Sequence, residues 1–97
     1  MLSRAAKALW RAILTDYDLS PADVRVLTEA LRAWDRAGEA AAIVDREGMT
    51  FTDPRGVPRQ HPAAGLELRH RDAYLRALRE LRLDGEALPD PRPPRRS

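Results

Sequence analysis

Residues 20–48 read SPADVRVLTEALRAWDRAGEAAAIVDREG and predict one long helix. Ser20 can accept a hydrogen bond from the first free backbone N–H groups, and Pro21 suits the first helical position. Gly48 can adopt the left-handed conformation that ends a helix. At 1.5 Å per residue, a helix from Pro21 to Glu47 is about 40 Å long. The remaining segments therefore have to pack around this one element.

Two apolar stripes run along the predicted helix and together cover more than half of its circumference. The first stripe consists of Val24, Leu27, Leu31, Trp34, Gly38 and Ala41. The second stripe, here named the alanine ridge, consists of Val26, Ala30, Ala33, Ala37, Ala40 and Val44. The first stripe suits packing within the chain. The alanine ridge allows another backbone to come close, and that backbone belongs either to another helix of this chain or to a second copy.

Length and composition bound the class of protein. A chain of 97 residues forms one domain, near the size where a single core becomes marginal and oligomerisation helps. It has no cysteine, so it has no disulfide and no thiolate metal site. It also has no signal-peptide core and no apolar run that could span a bilayer, so we expect a soluble, cytoplasmic protein without a membrane partner. The net charge of +2 does not by itself indicate a nucleic-acid binder.

The other segments complete a mainly α fold. Residues 3–16 predict a first helix, and residues 62–82 predict a third helix opened by Pro62. Between the second and third helices, residues 49–60 predict a small β-hairpin whose turn, Asp53-Pro54-Arg55-Gly56, has the composition of a type I turn. We thus expect a single helical domain over residues 1–83, followed by a disordered Pro/Arg-rich tail over residues 84–97.

The sequence contains little that predicts catalysis. His61 and His70 are the two histidines, they are nine residues apart and no cysteine accompanies them, so we expect no metal and no cofactor. His61, directly before Pro62, is expected to cap the third helix or to brace the hairpin, and His70 is expected to be a partly buried packing residue. Without a phosphate loop or a nucleophile elbow, the chain is not expected to be an enzyme.

The order of these features resembles the phage terminase small-subunit family. The resemblance covers roughly residues 5–83. It includes the long helix with Leu27, Ala30 and Trp34 and a G-x-P-x-x-H-P-A stretch formed by Gly56, Pro58, His61, Pro62 and Ala63. It implies a non-catalytic adaptor that assembles into a ring of about eight to ten copies. Such an adaptor engages double-stranded viral DNA and delivers it to the large terminase subunit, which holds the ATPase and nuclease.

Candidate contact residues follow from charge and from the stripes. Residues 1–14 contain no acidic residue, so we expect the basic residues of the first helix to contact DNA phosphates: Arg4, Lys7 and Arg11. Three tail arginines are expected to add phosphate contacts or to dock the large subunit: Arg92, Arg95 and Arg96. The expected subunit interface is the alanine ridge together with two leucines that lie among arginines on the third helix: Leu68 and Leu75.

Two other functions remain open at this point. Two helices joined by a short turn are also compatible with a small dimeric helix-turn-helix regulator. A third interpretation is a purely structural interaction module whose arginines form only a solvated surface.

Overall fold

The computed structural model describes residues 1–83 and shows three helices and one hairpin. Helix α1 is Arg4–Asp16, α2 is Pro21–Glu47 and α3 is Pro62–Glu80. The strands β1 (Thr50–Thr52) and β2 (Pro58–Gln60) form a two-stranded antiparallel sheet between α2 and α3. The predicted mainly α fold with a long central helix is confirmed. The expected disordered tail, residues 84–97, lies outside the described residues.

The helix boundaries are made by local hydrogen bonds. Ser3 and Ser20 cap α1 and α2, because their hydroxyl oxygens accept from the backbone N–H groups of Ala6 and Asp23 at 3.0 and 3.1 Å. At the other end of α2, Gly48 has φ +90° and its N–H donates to the Val44 carbonyl. A residue with a Cβ would be strained at this φ, so the chain leaves the helix at glycine.

Helices α2 and α3 form an antiparallel pair, and α1 lies on one side of it. Helix α1 is held against α2 at both ends of their contact: Trp10 Nε1 donates to Thr28 Oγ1 at 3.3 Å, and the backbone N–H and hydroxyl of Ser3 both donate to the Asp35 carboxylate. The three helices and the residues that follow α3 form one buried cluster, which contains the largest fully buried side chains: Ala6, Ile13, Leu27, Ala30, Leu31, Tyr74, Leu78 and Leu83. We call this part of the molecule the three-helix end.

Beyond α1, the α2–α3 pair continues alone, and we call this part the two-helix arm. Its buried residues are mostly alanines: Ala37, Ala40, Ala41 and Ala63. Small side chains let the two backbones approach, so the arm closes without large apolar groups. Glu67 is also buried here, at 7% exposure. The sequence pattern did not predict a buried carboxylate at this position.

This packing supplies one of the two partners that the alanine ridge left open. Ala30, Ala37 and Ala40 are 2%, 1% and 5% exposed within a single chain, where α3 packs against α2. A contact of the alanine ridge with a second copy stays a prediction. Val26, Ala33 and Val44 remain partly exposed on the same ridge.

The end of α3 closes the core in a way that the sequence reading missed. Arg82 has φ +61°, and the Leu83 N–H donates to the Leu78 carbonyl at 2.8 Å, as in a Schellman motif. The reversal turns Leu83 back into the three-helix cluster, where it is 2% exposed. No helix within residues 1–83 is long and apolar enough to cross a membrane.

Candidate functional site

The first candidate surface is a row of cations on α1. Arg4, Lys7 and Arg11 are all exposed, and their spacing places them along one side of the helix over about 10 Å. Within residues 1–83, none of the three forms an ion pair with a carboxylate. These charges are therefore free to meet phosphate. We refer to them as the α1 basic row.

A second row of cations lies on the outer side of α3. Arg69, Arg76 and Arg79 are exposed and fall on one side of this helix, away from the buried residues Tyr74 and Leu78. The sequence showed this cluster but did not single it out as a site. We call it the α3 basic row, and it carries the same number of charges as the α1 basic row.

A groove of about 640 Å³ runs between α2 and α3. Its floor is apolar: Val26, Ala30, Ala33, Ala73 and Ala77. Its rim carries both signs of charge, with Arg32 and Arg36 on α2 and Glu80 on α3. Thr28 and Asp35 face α1. A groove residue lies two positions before each of them, and two positions along a helix correspond to a rotation of roughly 160°. The groove therefore opens on the side of α2 opposite to α1.

Several apolar residues of α3 are exposed within residues 1–83. Ala73, which lines the groove, and Leu66 are both exposed. Leu68 and Leu75, expected at a subunit interface, are exposed at 58% and 39%.

His61 joins the hairpin, α2 and α3. Its Nδ1 accepts from the Ala63 backbone N–H at 3.0 Å and caps α3, as expected from the sequence. Because Nδ1 is an acceptor, the neutral ring carries its proton on Nε2, which lies 3.0 Å from Glu47 Oε1 and donates to it. This hydrogen bond, followed by that from Arg46, lowers the pKa of Glu47. Phe51 meets the ring edge-on with centroids 6.5 Å apart.

Asp53 organises the turn of the hairpin. Its Oδ1 accepts from the backbone N–H groups of Val57 and Arg55, both at 2.9 Å, and its Oδ2 accepts from Arg59 Nε at 3.0 Å. These bonds, that of Val57 first, lower the pKa of the Asp53 carboxyl. The Gly56 N–H donates to the Asp53 carbonyl, which closes the predicted four-residue turn.

Comparison with known proteins decides which family this architecture represents. The family model for the phage terminase small subunit matches residues 6–88. The chain belongs to this family. No curated protein and no solved structure matches it significantly.

Membership in the terminase small-subunit family supports a role in phage DNA packaging, with DNA and the large terminase subunit as the partners that this role implies. Small terminase subunits are generally regulatory and non-catalytic. The match begins at residue 6, so it includes Lys7, Arg11 and the α2–α3 groove but not Arg4. Within residues 1–83, no three His, Asp or Glu side chains are grouped to hold a metal ion.

The remaining residues expected to contact DNA are not placed by the structure. Arg92, Arg95 and Arg96 lie outside the described residues, which end at Leu83. Their roles stay predictions.

Proposed function

We propose that this chain is a non-catalytic DNA-packaging adaptor that assembles into a ring, engages double-stranded DNA and delivers it to the large terminase subunit in the host cytoplasm. The observation that carries the proposal is the match of the terminase small-subunit model to most of the chain. The exposed, unpaired cations of the α1 basic row supply the DNA contacts in this proposal.

The α1 basic row suits phosphate because its charges are uncompensated and regularly spaced. A row of about 10 Å corresponds to about three base-pair steps of 3.4 Å measured along the duplex axis. Three contacts per chain give weak binding, but a ring presents several such rows to one duplex, and multivalency raises the overall affinity. The contacts are to phosphate, so this part of the binding is independent of DNA sequence.

Assembly is supported by the apolar surface that one chain leaves exposed. Of the expected interface residues, Val26, Ala33, Val44, Leu68 and Leu75 keep exposed or partly exposed side chains. Exposed apolar side chains of this kind favour association of the 97-residue chain, because association removes their surface from water. In the proposed ring, Arg92, Arg95 and Arg96 add phosphate contacts or dock the large subunit.

DNA binding across a salt series tests the DNA-contact part. We expect a triple variant, Arg4→Gln/Lys7→Gln/Arg11→Gln, to bind a linear duplex more weakly and to flatten the slope of log K against log salt by about 2.7 per engaged chain. The matched control is Arg69→Gln/Arg76→Gln/Arg79→Gln, which removes three charges from the α3 basic row. If the control variant loses affinity and the α1 variant does not, the DNA-binding surface is on α3.

The dimeric helix-turn-helix regulator is the alternative. The four-residue connection between α1 and α2 allows it, but Leu27, Ala30 and Leu31 of the would-be recognition helix are buried by α1 and α3. Measuring the mass in solution separates the two functions, because a regulator remains a dimer and an adaptor forms a larger closed assembly. A chain that binds no DNA even at low salt would instead be a structural module.

A further inference from the structure

The apolar floor of the α2–α3 groove is open within the part of the chain that the structure describes. Val26 and Ala33 of α2 are partly exposed and Ala73 of α3 is exposed, although all three line the floor. Arg25 and Arg36 mark the two ends of the groove on α2, about 16 Å apart along the helix axis. An extended peptide of about five residues spans this length.

The charges around the groove favour an acidic occupant. The lining contains three arginines of α2, against Glu29 of α2 and Glu80 of α3: Arg25, Arg32 and Arg36. Arg69 and Arg76 of the α3 basic row lie four residues before and three residues after Ala73, so both flank the groove on the α3 side. Within residues 1–83, no ion pair neutralises any of these arginines. A segment that combines carboxylates with apolar side chains therefore suits both the rim and the floor.

Residues 84–90 of the same chain have this composition. They read DGEALPD and contain three carboxylates and no cation: Asp84, Glu86 and Asp90. Ala87 and Leu88 supply apolar side chains between these carboxylates, and the arginines of the tail begin only at Arg92. The family model matches as far as residue 88 and so includes most of the segment. The residues directly after Leu83 are thus opposite in charge to the rim of the groove.

The end of α3 brings this segment close to the groove. The Leu83 N–H donates to the Leu78 carbonyl at 2.8 Å, so the segment starts beside the last turns of α3. The floor residues Ala77 and Ala73 lie one and five residues before Leu78, within about 8 Å along the axis. Leu88 is five residues beyond Leu83 and reaches at most about 17 Å from it. A helix with its side chains is about 10–12 Å wide, so this reach is enough to bring Leu88 over Ala73.

We propose that residues 84–90 dock in the α2–α3 groove of their own chain, with Leu88 on the apolar floor and the carboxylates facing the arginines of the rim. The docked segment runs antiparallel to α3, because it starts at the C-terminal end of that helix. It covers Val26 and Ala33, so the contact between copies in the proposed ring falls to the remaining exposed or partly exposed residues: Val44, Leu68 and Leu75. The inference goes beyond the proposed function, because it concerns a single chain and holds whether or not copies assemble.

Disulfide trapping in the full-length protein tests the docking, because the natural sequence has no cysteine. The double variant Leu88→Cys/Ala73→Cys is oxidised mildly, and the disulfide within one chain is quantified by mass spectrometry. The matched control is Leu88→Cys/Leu75→Cys. Leu75 is also exposed and lies nearer to Leu83 along α3, but two positions from Ala73 it points to the opposite side of the helix.

We expect the disulfide to Ala73→Cys to form several-fold faster than the disulfide to Leu75→Cys. Both helix positions are exposed, so both variants should keep the helical circular dichroism of the natural chain. Equal rates would overturn the proposal, because an undocked segment reaches both positions.

A charge exchange tests whether the arginines hold the segment. Arg32→Glu, added to the Leu88→Cys/Ala73→Cys protein, should slow the disulfide roughly two- to fivefold, as expected for the loss of one exposed ion pair. Glu86→Lys should have the same effect, and the two changes together should recover part of the rate. Arg55→Glu makes the same charge change at an exposed hairpin position that does not line the groove, and it should leave the rate unchanged. A rate that Arg32→Glu leaves unchanged would overturn the proposal, because the choice of an acidic occupant rests on these charges.

The outcomes separate this inference from the proposed function. If a mixture of the single variants Leu88→Cys and Ala73→Cys gives mainly disulfides between chains, the segment docks on a neighbouring copy and the inference fails. If neither double variant is trapped preferentially while the natural chain assembles and binds DNA, another occupant such as a segment of the large subunit takes the groove; the inference fails and the packaging adaptor stands. If trapping succeeds but the natural chain neither assembles nor binds DNA, the proposed function is wrong and the inference stands.

Discussion

The three-helix end and the two-helix arm are built from the same α2–α3 pair, yet they are stabilised differently. At the three-helix end, α1 packs against the α2–α3 pair, and large side chains such as Leu27, Leu31 and Tyr74 fill the space between the three helices. In the arm, α2 and α3 contact each other directly, and the small side chains of Ala37, Ala40 and Ala41 fill the contact. Two helices alone do not enclose a large side chain on all sides. The arm is therefore stabilised by the close approach of the two backbones and by hydrogen bonds at its tip.

This difference explains where the exposed apolar area lies. The arm and its hairpin carry most of it, in Met49, Phe51, Leu66 and Leu68, because no third element of residues 1–83 covers them. The three-helix end leaves mainly the groove, on the side of α2 away from α1.

The largest expected effect is at the three-helix end. Leu31→Ala should lower the free energy of unfolding by about 2–5 kcal/mol, because Leu31 is fully buried and the surrounding helices cannot collapse onto the cavity. Urea denaturation followed by circular dichroism measures the change. The matched control, Leu68→Ala in the arm, removes an exposed side chain and should cost less than about 0.5 kcal/mol. Equal losses in the two variants would contradict the division between the two regions.

A smaller loss of stability is expected when a larger side chain replaces a buried alanine in the arm. Ala37→Leu should destabilise the chain by about 1–3 kcal/mol, because α3 lies against this side chain and has to move to admit a larger one. The same denaturation experiment measures it. Ala42→Leu makes the same change at an exposed position of α2 and should be close to neutral. If Ala37→Leu leaves the free energy of unfolding unchanged, the contact between α2 and α3 in the arm has room for a larger side chain.

The hydrogen bonds of His61 at the tip of the arm should contribute still less to the free energy of unfolding. His61→Ala removes the cap of α3 and the partner of Glu47, with an expected cost of about 0.5–2 kcal/mol. Faster amide hydrogen exchange in the first turn of α3 is the local readout. His61→Asn keeps a side-chain acceptor for the Ala63 N–H and should restore much of the protection. Equal exchange in the two variants would mean that the cap is unimportant.

The smallest effect is expected in the hairpin and depends on pH. The folded-state pKa of Asp53 lies below its ordinary value of 3.8, chiefly because the Val57 N–H donates to it, followed by Arg59 and Arg55. A lowered pKa means that the carboxylate stabilises the hairpin fully above this value and loses its contribution as pH falls through the lower, folded-state pKa. Amide chemical shifts of residues 50–60 between neutral and strongly acidic pH should report the loss.

The control for the pH experiment is Asp53→Asn. Its side-chain oxygen can still accept from the turn, but it carries no charge and does not titrate. The hairpin shifts of this variant should therefore change much less over the same acidic range. A transition of unchanged size in Asp53→Asn would assign the acid sensitivity to Glu47, whose pKa is also lowered, chiefly by its hydrogen bond from His61.

Much of the fold follows from the sequence alone. The bounds of α2, the caps at Ser20 and His61 and the turn at Asp53–Gly56 were all predicted and are confirmed. These features depend on hydrogen bonds between residues only a few positions apart, and local composition therefore determines them. The family resemblance is confirmed by the match of the family model to residues 6–88.

The tertiary structure alone decided which apolar residues are buried and which form surfaces. Ala30, Ala37 and Ala40 are buried, and Ala73 is exposed, although all four lie on apolar stripes of their helices. Helical periodicity shows that a side is apolar, but the element that covers it comes from a distant part of the chain or from another copy. The groove and the burial of Leu83 in the core therefore emerge only when α3 packs against α2.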